Sequence, residues 1–295
     1  MQPERSSRTA EFMALFRALE SERPAEDALF HDPFAAGFIS PSLRRLVRWS
    51  ATPIVGGLLC TFIDRRWPGA RTSGVARTRL IDDWVAEGVA NDCRQIVVLG
   101  AGFDSRAWRL PGLAGLSIFE VDHPATAAEK SARIAALGAD LSRVVSVSLD
   151  FDRDRLSDHL AASGFDDRKV TTVIWEGVTN YLTEKAVFSV FAWMGTLAPG
   201  SRLAFTYIDR RVLSDPTSFK GAANILLAVS SAGEPWTFGF VPESLPHDLA
   251  PFGLRLVEDL GADDYRARYF GKMARKMRGY AFYRAALAVV ANADA

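Results

Sequence analysis

The chain has 295 residues, 48% of them hydrophobic, enough for one large α/β domain with a cap and a substantial core. Lysine plus arginine equals aspartate plus glutamate at 35 each, so no overall basic excess favours nucleic acid or a membrane, and neither is expected as a partner. Two cysteines, Cys60 and Cys93, outside any Cys-x-x-Cys pair, argue against a zinc site and a disulfide framework, and no metal is expected.

The opening stretch MQPERSSRTAEFMALFRALE has neither the apolar core nor the small-residue cleavage site of a secretory signal. No apolar run approaches the ~20 residues that span a bilayer. The expected location is therefore the cytoplasm. Residues 1–70 read as an irregular helical cap, with Phe12, Leu15, Phe16 and Leu19 at helical spacing, prolines 24, 33, 41 and 53 as punctuation, and an apolar patch from Pro53 to Phe62. They hold too little periodic apolar surface for a separate core, so the cap is expected to lean on the domain formed by residues 71–295.

A helix is predicted over Val75 to Ala90, with Leu80, Ile81, Trp84, Val85 and Val89 as its apolar stripe. Short apolar runs then alternate with helical patterns. Strands are predicted at Ile96–Leu99, Leu116–Val121, Val144–Ser148, Val170–Trp175 and Arg202–Ile208, the pattern of a parallel sheet covered on both faces. A helix from about Thr183 stops at Pro199-Gly200. A helical insertion follows at about 215–240, and Leu254–Leu260 and Tyr280–Val290 complete seven strands, the last antiparallel because the connection between them is short.

The loops after the strands carry the chemistry, because ligands of such sheets sit beyond the strands' carboxyl ends. In VVLGAGFDSRAWRL, Gly100 and Gly102 break the first strand, and Asp122 follows 22 residues after Gly100 at the end of the second, where a carboxylate can accept from ribose hydroxyls. Asp104, Glu120, Asp150 and Glu176 add carboxylates at successive strand ends; each alone also suits helix capping. No Gly-x-x-x-x-Gly-Lys-Ser/Thr loop is present, so a triphosphate does not fit. A ribose, an adenine amine and a cationic centre do, which describes S-adenosylmethionine. A dinucleotide fits less well, because Ser105 replaces the third glycine of its fingerprint.

Four segments in order, VVLGAGFDSRAWRL, FEVDHP with Lys130 downstream, LDF at Leu149–Phe151 and WEGVTNYLT at Trp175–Thr183, resemble the leucine carboxyl methyltransferase family of class I S-adenosylmethionine-dependent methyltransferases. The likeness covers about residues 70 to 290 and is nearer to the bacterial branch that includes tetracenomycin-type polyketide O-methyltransferases. It implies a class I methyltransferase (Rossmann-like) sheet of order 3-2-1-4-5-7-6 with strand seven antiparallel. By the same resemblance, Arg77 meets the methionyl carboxylate, with Arg79 as its near rival. Gly100 and Gly102 form the cofactor loop, Asp122 binds ribose, Asp150 and Phe151 flank the adenine, and Glu176 faces the methionine moiety ahead of Tyr181. The N-terminal segment does not match the eukaryotic members that methylate a phosphatase.

A carboxylate acceptor needs no base, whereas a phenol of pKa near ~10 benefits from one. Tyr181 divides between core packing and a hydroxyl touching acceptor or methionine, and His247, in a late loop, is the candidate base. Trp236, Phe238 and Phe240 either pack beneath the cap or wall the acceptor. The expected activity is transfer of a methyl group to a carboxylate or hydroxyl of a small molecule, with a polyketide-type metabolite as one candidate. The alternatives are a nicotinamide-dependent oxidoreductase and a non-catalytic S-adenosylmethionine-binding protein. Oligomeric state is not read from the sequence.

Overall fold

The computed structural model describes residues 8–292 apart from Asp152 and Lys276; the first seven residues of the stretch read for its lack of a secretory signal, and the last three of the chain, lie outside them. Seven strands, β1 (Gln95–Leu99), β2 (Ser117–Asp122), β3 (Val145–Ser148), β4 (Thr171–Trp175), β5 (Arg202–Ile208), β6 (Leu254–Leu260) and β7 (Tyr283–Val290), form one sheet of order β3-β2-β1-β4-β5-β7-β6. Strands β1 to β5 run parallel, and β7 lies antiparallel between β5 and β6. This is the class I methyltransferase topology expected from the sequence.

The helices are α1 (Arg8–Ser21), α2 (Pro41–Ser50), α3 (Pro53–Arg66), α4 (Ala70–Ala90), α5 (Arg106–Arg109), α6 (Pro124–Ala136), α7 (Leu156–Ala162), α8 (Glu184–Met194), α9 (Arg211–Ser214), α10 (Ala222–Ser231), α11 (Leu245–Leu249) and α12 (Ala262–Phe270). The strands are buried on both faces because alternate residues feed two cores. Val97, Leu99, Phe119, Val121, Val173 and Trp175 pack with Val187, Val190, Phe191 and Met194 of α8, while Ile96, Val98, Ile118 and Ile174 pack with Leu80, Ile81, Trp84 and Val85 of α4. A third core joins Leu15, Phe16 and Leu19 of α1 to Phe38, Phe103 and Ile134, so the cap shares side-chain packing with the β1 loop and with α6.

Two elements start three or more residues from expectation. Helix α4 starts at Ala70, five residues early, because Arg71, Thr72, Ser73 and Gly74 are buried polar or small residues that carry no apolar period. Strand β7 starts at Tyr283 and not Tyr280, since Tyr280 and Phe282 instead form an aromatic cluster with Ile208 and Val212 beyond the end of β5. The predicted insertion at about 215–240 holds a 3-10 turn, Pro216–Ser218, and α10, and the short α9 comes just before it.

The chain leaves β1 through Gly100, whose φ of +63° lies in the left-handed region, and a Cβ there would stand 2.4 Å from Val178 Cγ2 in the loop after β4. The glycine thus lets two strand-end loops approach each other. Gly100→Ala should cost about 1–3 kcal/mol of stability, read as a lower urea midpoint. Adding Val178→Ala should recover only the steric part, because the backbone penalty remains; an unchanged midpoint in Gly100→Ala would contradict the account.

Candidate active site

The glycine turn folds back on β2, with the Gly100 and Ala101 N–H groups both donating to the Val121 carbonyl at 2.8 and 3.2 Å. This brings Gly102 N–H to Asp122 Oδ2 at 2.5 Å, while the His123 N–H donates to Asp122 Oδ1 at 2.6 Å. Burial pushes the Asp122 carboxyl above its ordinary value, an effect these two N–H groups only partly offset. Each carboxylate oxygen keeps a further lone pair. The half-buried acid can therefore accept from a ligand that reaches the carboxyl end of β2. His123 caps α6, its Nδ1 accepting from Ala125 N–H at 3.3 Å.

The end of β3 lies beside it, Leu149 N–H donating to the Asp122 carbonyl at 3.0 Å. Asp150 follows, partly exposed, with Arg153 Nε 3.6 Å from its Oδ2, and Phe151 packs partly buried on the larger core. Gly100, Gly102, Asp122 and Asp150 thus share neighbouring strand ends.

On the other side of β1, Arg77 of α4 comes inward to Glu176 at the end of β4, its Nε 4.0 Å from Glu176 Oε1. Its guanidinium lies over the Tyr283 ring, 3.9 Å from the centroid. Both Arg77 Nε and Glu176 Oε1 are buried without a hydrogen-bond partner. Buried charged atoms in that condition are costly unless something completes them. Arg79 points elsewhere, donating to Asp83 at 2.8 Å and to the Leu29 carbonyl at 2.5 Å.

Glu176 is held by a residue the sequence reading did not single out. Arg106, buried, donates to Glu176 Oε2 at 2.9 Å, to Asp82 Oδ1 at 2.7 Å and to Asp104 Oδ2. Arg109 holds the same Asp82 through two bonds at 2.6 and 2.8 Å. Its Nε lies 3.8 Å from Asp32, whose Oδ2 also accepts from Arg17 at 2.9 Å and Ser105 at 2.6 Å. Burial would raise the Asp32 and Asp104 carboxyls. The facing guanidinium groups outweigh it, Arg17 and Arg109 for Asp32 and Arg106 foremost for Asp104, and hold both below the usual carboxylate range.

The side expected to face the acceptor is aromatic. Tyr181 ends a 3-10 turn, Thr179–Tyr181, and burial pushes its hydroxyl up to about 12. Trp236, half-buried, stands with its ring centroid 6.0 Å from that of Tyr283, and its Nε1 is buried without a partner, as is Asn180 Nδ2. Phe238 and Phe240 pack in the larger core, so Trp236 alone of the three stays half-buried beside Tyr283. Thr9 of α1 donates to Glu234 Oε2 at 2.9 Å, joining the cap to the insertion over this region. His247 is not brought here. It is exposed on α11, which leads into the first residue of β6, and Leu254 pairs with Val290 at the amino-terminal end of the parallel strands. A base at that position has no path to the strand ends that carry Asp122 and Glu176.

The paired arrangement yields two expected outcomes. Arg106→Met should cost about 3–5 kcal/mol in urea denaturation, because three carboxylates lose one of their partners at once, with Arg106→Lys in between. Asp32 and Asp104 carry folded-state pKa values below their unfolded ones, so their stabilising contribution is present above about pH 4 and is lost as pH falls further. Thermal melts from pH 7 to 3 should show Tm dropping below about pH 4, and more shallowly in Asp104→Asn.

Comparison with known proteins follows this geometry. The model of the leucine carboxyl methyltransferase family matches residues 10–195, so the likeness includes the cap as well as the four motifs. A candidate S-adenosyl-L-methionine-dependent methyltransferase of Streptomyces coelicolor is 38% identical over 216 residues, 72% of this chain and 73% of that one. Another from Mycolicibacterium paratuberculosis is 34% identical over 218 residues, covering 70% of this chain, and the matched stretch spans 66% of that protein's length. Among solved structures, a DUF574 family protein from Streptomyces avermitilis superposes with a TM-score of 0.59 at 15% identity, covering 96% of this chain and 97% of that one. A candidate methyltransferase from Thermobifida fusca superposes at 0.57 and 16% identity, covering 93% and 97%, and both share the fold. The chain belongs to the leucine carboxyl methyltransferase family.

Proposed function

We propose that this member of a methyltransferase family uses S-adenosylmethionine to methylate an oxygen of a small molecule. The observation that carries the reading is the pair formed by Arg77 and Glu176, each with one buried and unpartnered atom, set across β1 from Asp122. An arginine and a glutamate held 4.0 Å apart suit the carboxylate and ammonium of an amino acid, and an acid beside a glycine turn suits a ribose. S-Adenosylmethionine joins those two groups in one ligand and brings no phosphate. Asp150 and Phe151, at the next strand end, are the residues for the adenine. The naming of the curated relatives for S-adenosyl-L-methionine supports the same cofactor over a nicotinamide.

When bound, the cofactor supplies a methyl group on a sulfonium. The residues of this chain then bind and align: Asp122 holds the ribose, Arg77 and Glu176 fix the amino-acid end, and Arg106 fixes Glu176. Alignment is the main demand of an in-line displacement. Tyr181, raised to about 12 by burial, keeps its proton at neutral pH and serves an acceptor oxygen as a donor and not as a base. An acceptor that arrives ionised meets this site best, so a carboxylate is preferred to a phenol. The aromatic side chains of Tyr181, Trp236 and Tyr283, with Trp236 and Tyr283 edge to face at 71°, suit an aromatic acid of the polyketide type.

Calorimetric titration with S-adenosylhomocysteine and, separately, NADH tests the cofactor, and preferential NADH binding would reject it. Asp122→Ala should weaken S-adenosylhomocysteine binding by about 1–3 kcal/mol, and Glu176→Gln should weaken it as well. Unchanged affinity in a folded Asp122→Ala protein would contradict the ribose role.

A further inference from the structure

The apolar patch noted between Pro53 and Phe62 is not absorbed by the site. On α3, Ile54, Leu58 and Phe62 recur every four residues and so share one face of the helix. They are 79%, 68% and 63% exposed, and Trp49, at the last turn of the adjoining α2, is 67% exposed. A row of four large apolar side chains in water is unusual for a protein surface.

Its surroundings are basic although the whole chain is neutral. Arg44, Arg45 and Arg48 precede Trp49, Arg65 and Arg66 follow Phe62, and all five are exposed. Asp64 is the one acid between residues 41 and 66, and it is taken up by Arg71 through bonds at 3.1 and 2.7 Å. Total charge conceals this segregation.

We propose that the α2–α3 hairpin docks the protein on an anionic lipid surface, lying in the interface plane. Neither helix crosses: among the described residues no helix is long and apolar enough to span a membrane. An apolar ridge flanked by arginines is the pattern that inserts at the headgroup level of anionic lipid, with a tryptophan at the boundary. A second copy of the chain fits less well, because a two-fold contact through this hairpin would oppose arginine to arginine. The expectation of no membrane partner rested on total charge and on the lack of a spanning run, and neither speaks to a surface element.

The test is sedimentation of the full chain with vesicles of phosphatidylcholine mixed with phosphatidylglycerol, and of phosphatidylcholine alone. The mixed vesicles should retain the protein about tenfold or more better, and raised salt should release it. Leu58→Glu/Phe62→Glu should lower retention about tenfold, and Arg45→Gln/Arg48→Gln/Arg65→Gln should remove the preference for the anionic lipid. Because the altered side chains are exposed, both variants should melt as the parent does. No retention on mixed vesicles, or equal retention of Leu58→Glu/Phe62→Glu, overturns the proposal. So does a parent that sediments as a dimer where Leu58→Glu/Phe62→Glu is monomeric, with neither on vesicles, which would make the face a contact between copies.

Discussion

The strand-end region is held by one buried network in which four guanidinium groups, from Arg17, Arg77, Arg106 and Arg109, face four carboxylates, from Asp32, Asp82, Asp104 and Glu176. Taking eight charges out of water is costly, and a greasy core of equal volume would serve stability as well or better. What the network supplies is position. It connects the cap through Arg17 and Asp32, α4 through Arg77 and Asp82, the β1 loop through Asp104 and Arg106, and the β4 loop through Glu176. Charges balance, yet three atoms of the network lack a hydrogen-bond partner, Arg77 Nε, Arg109 Nε and Glu176 Oε1, and the first and last of these face each other at 4.0 Å, where the proposed function sets the amino-acid end of the cofactor.

How much of this was legible in the sequence follows from the kind of signal each part emits. Strands β5 and β6 match their expected bounds because a short apolar run between polar turns is a local pattern, and the resemblance supplied the strand order that local patterns cannot. The start of α4 was missed because Arg71, Thr72 and Ser73 are buried by tertiary contacts, Ser73 for instance accepting from the Tyr265 hydroxyl at 2.8 Å and from the Tyr280 N–H at 2.9 Å. Nothing periodic marks such residues. The arginine network was missed for a related reason: Arg106 lies 70 residues from Glu176 and Ser105 lies 73 from Asp32, and pairings at that range leave no local trace. Arg106 stood inside a quoted motif, but its two-residue spacing from Asp104 resembled an ordinary helix start.

His247 shows the opposite failure. It stood out because imidazole is versatile and because it fell near an insertion expected to face the acceptor, and the chain instead carries it down to the other end of the sheet before β6 begins. The other histidines are placed as plainly: His123 caps α6, His31 is exposed in the cap and His159 lies on α7. For Tyr181 the choice between core packing and a hydroxyl touching acceptor or methionine stays as the sequence leaves it: burial raises its hydroxyl, and Trp236 and Thr9 are its polar neighbours.

The proposed acceptor side and the proposed docking hairpin meet in the cap. Helix α1 joins the insertion through Thr9 and Glu234 and packs its apolar face into the same core as Ile63 of α3, so the element bonded to the insertion is continuous with the one that shows Ile54, Leu58 and Phe62 to solvent. Five arginines against one acid on this hairpin, in a chain whose charges cancel overall, thus set one face of the cap apart from the rest of the surface.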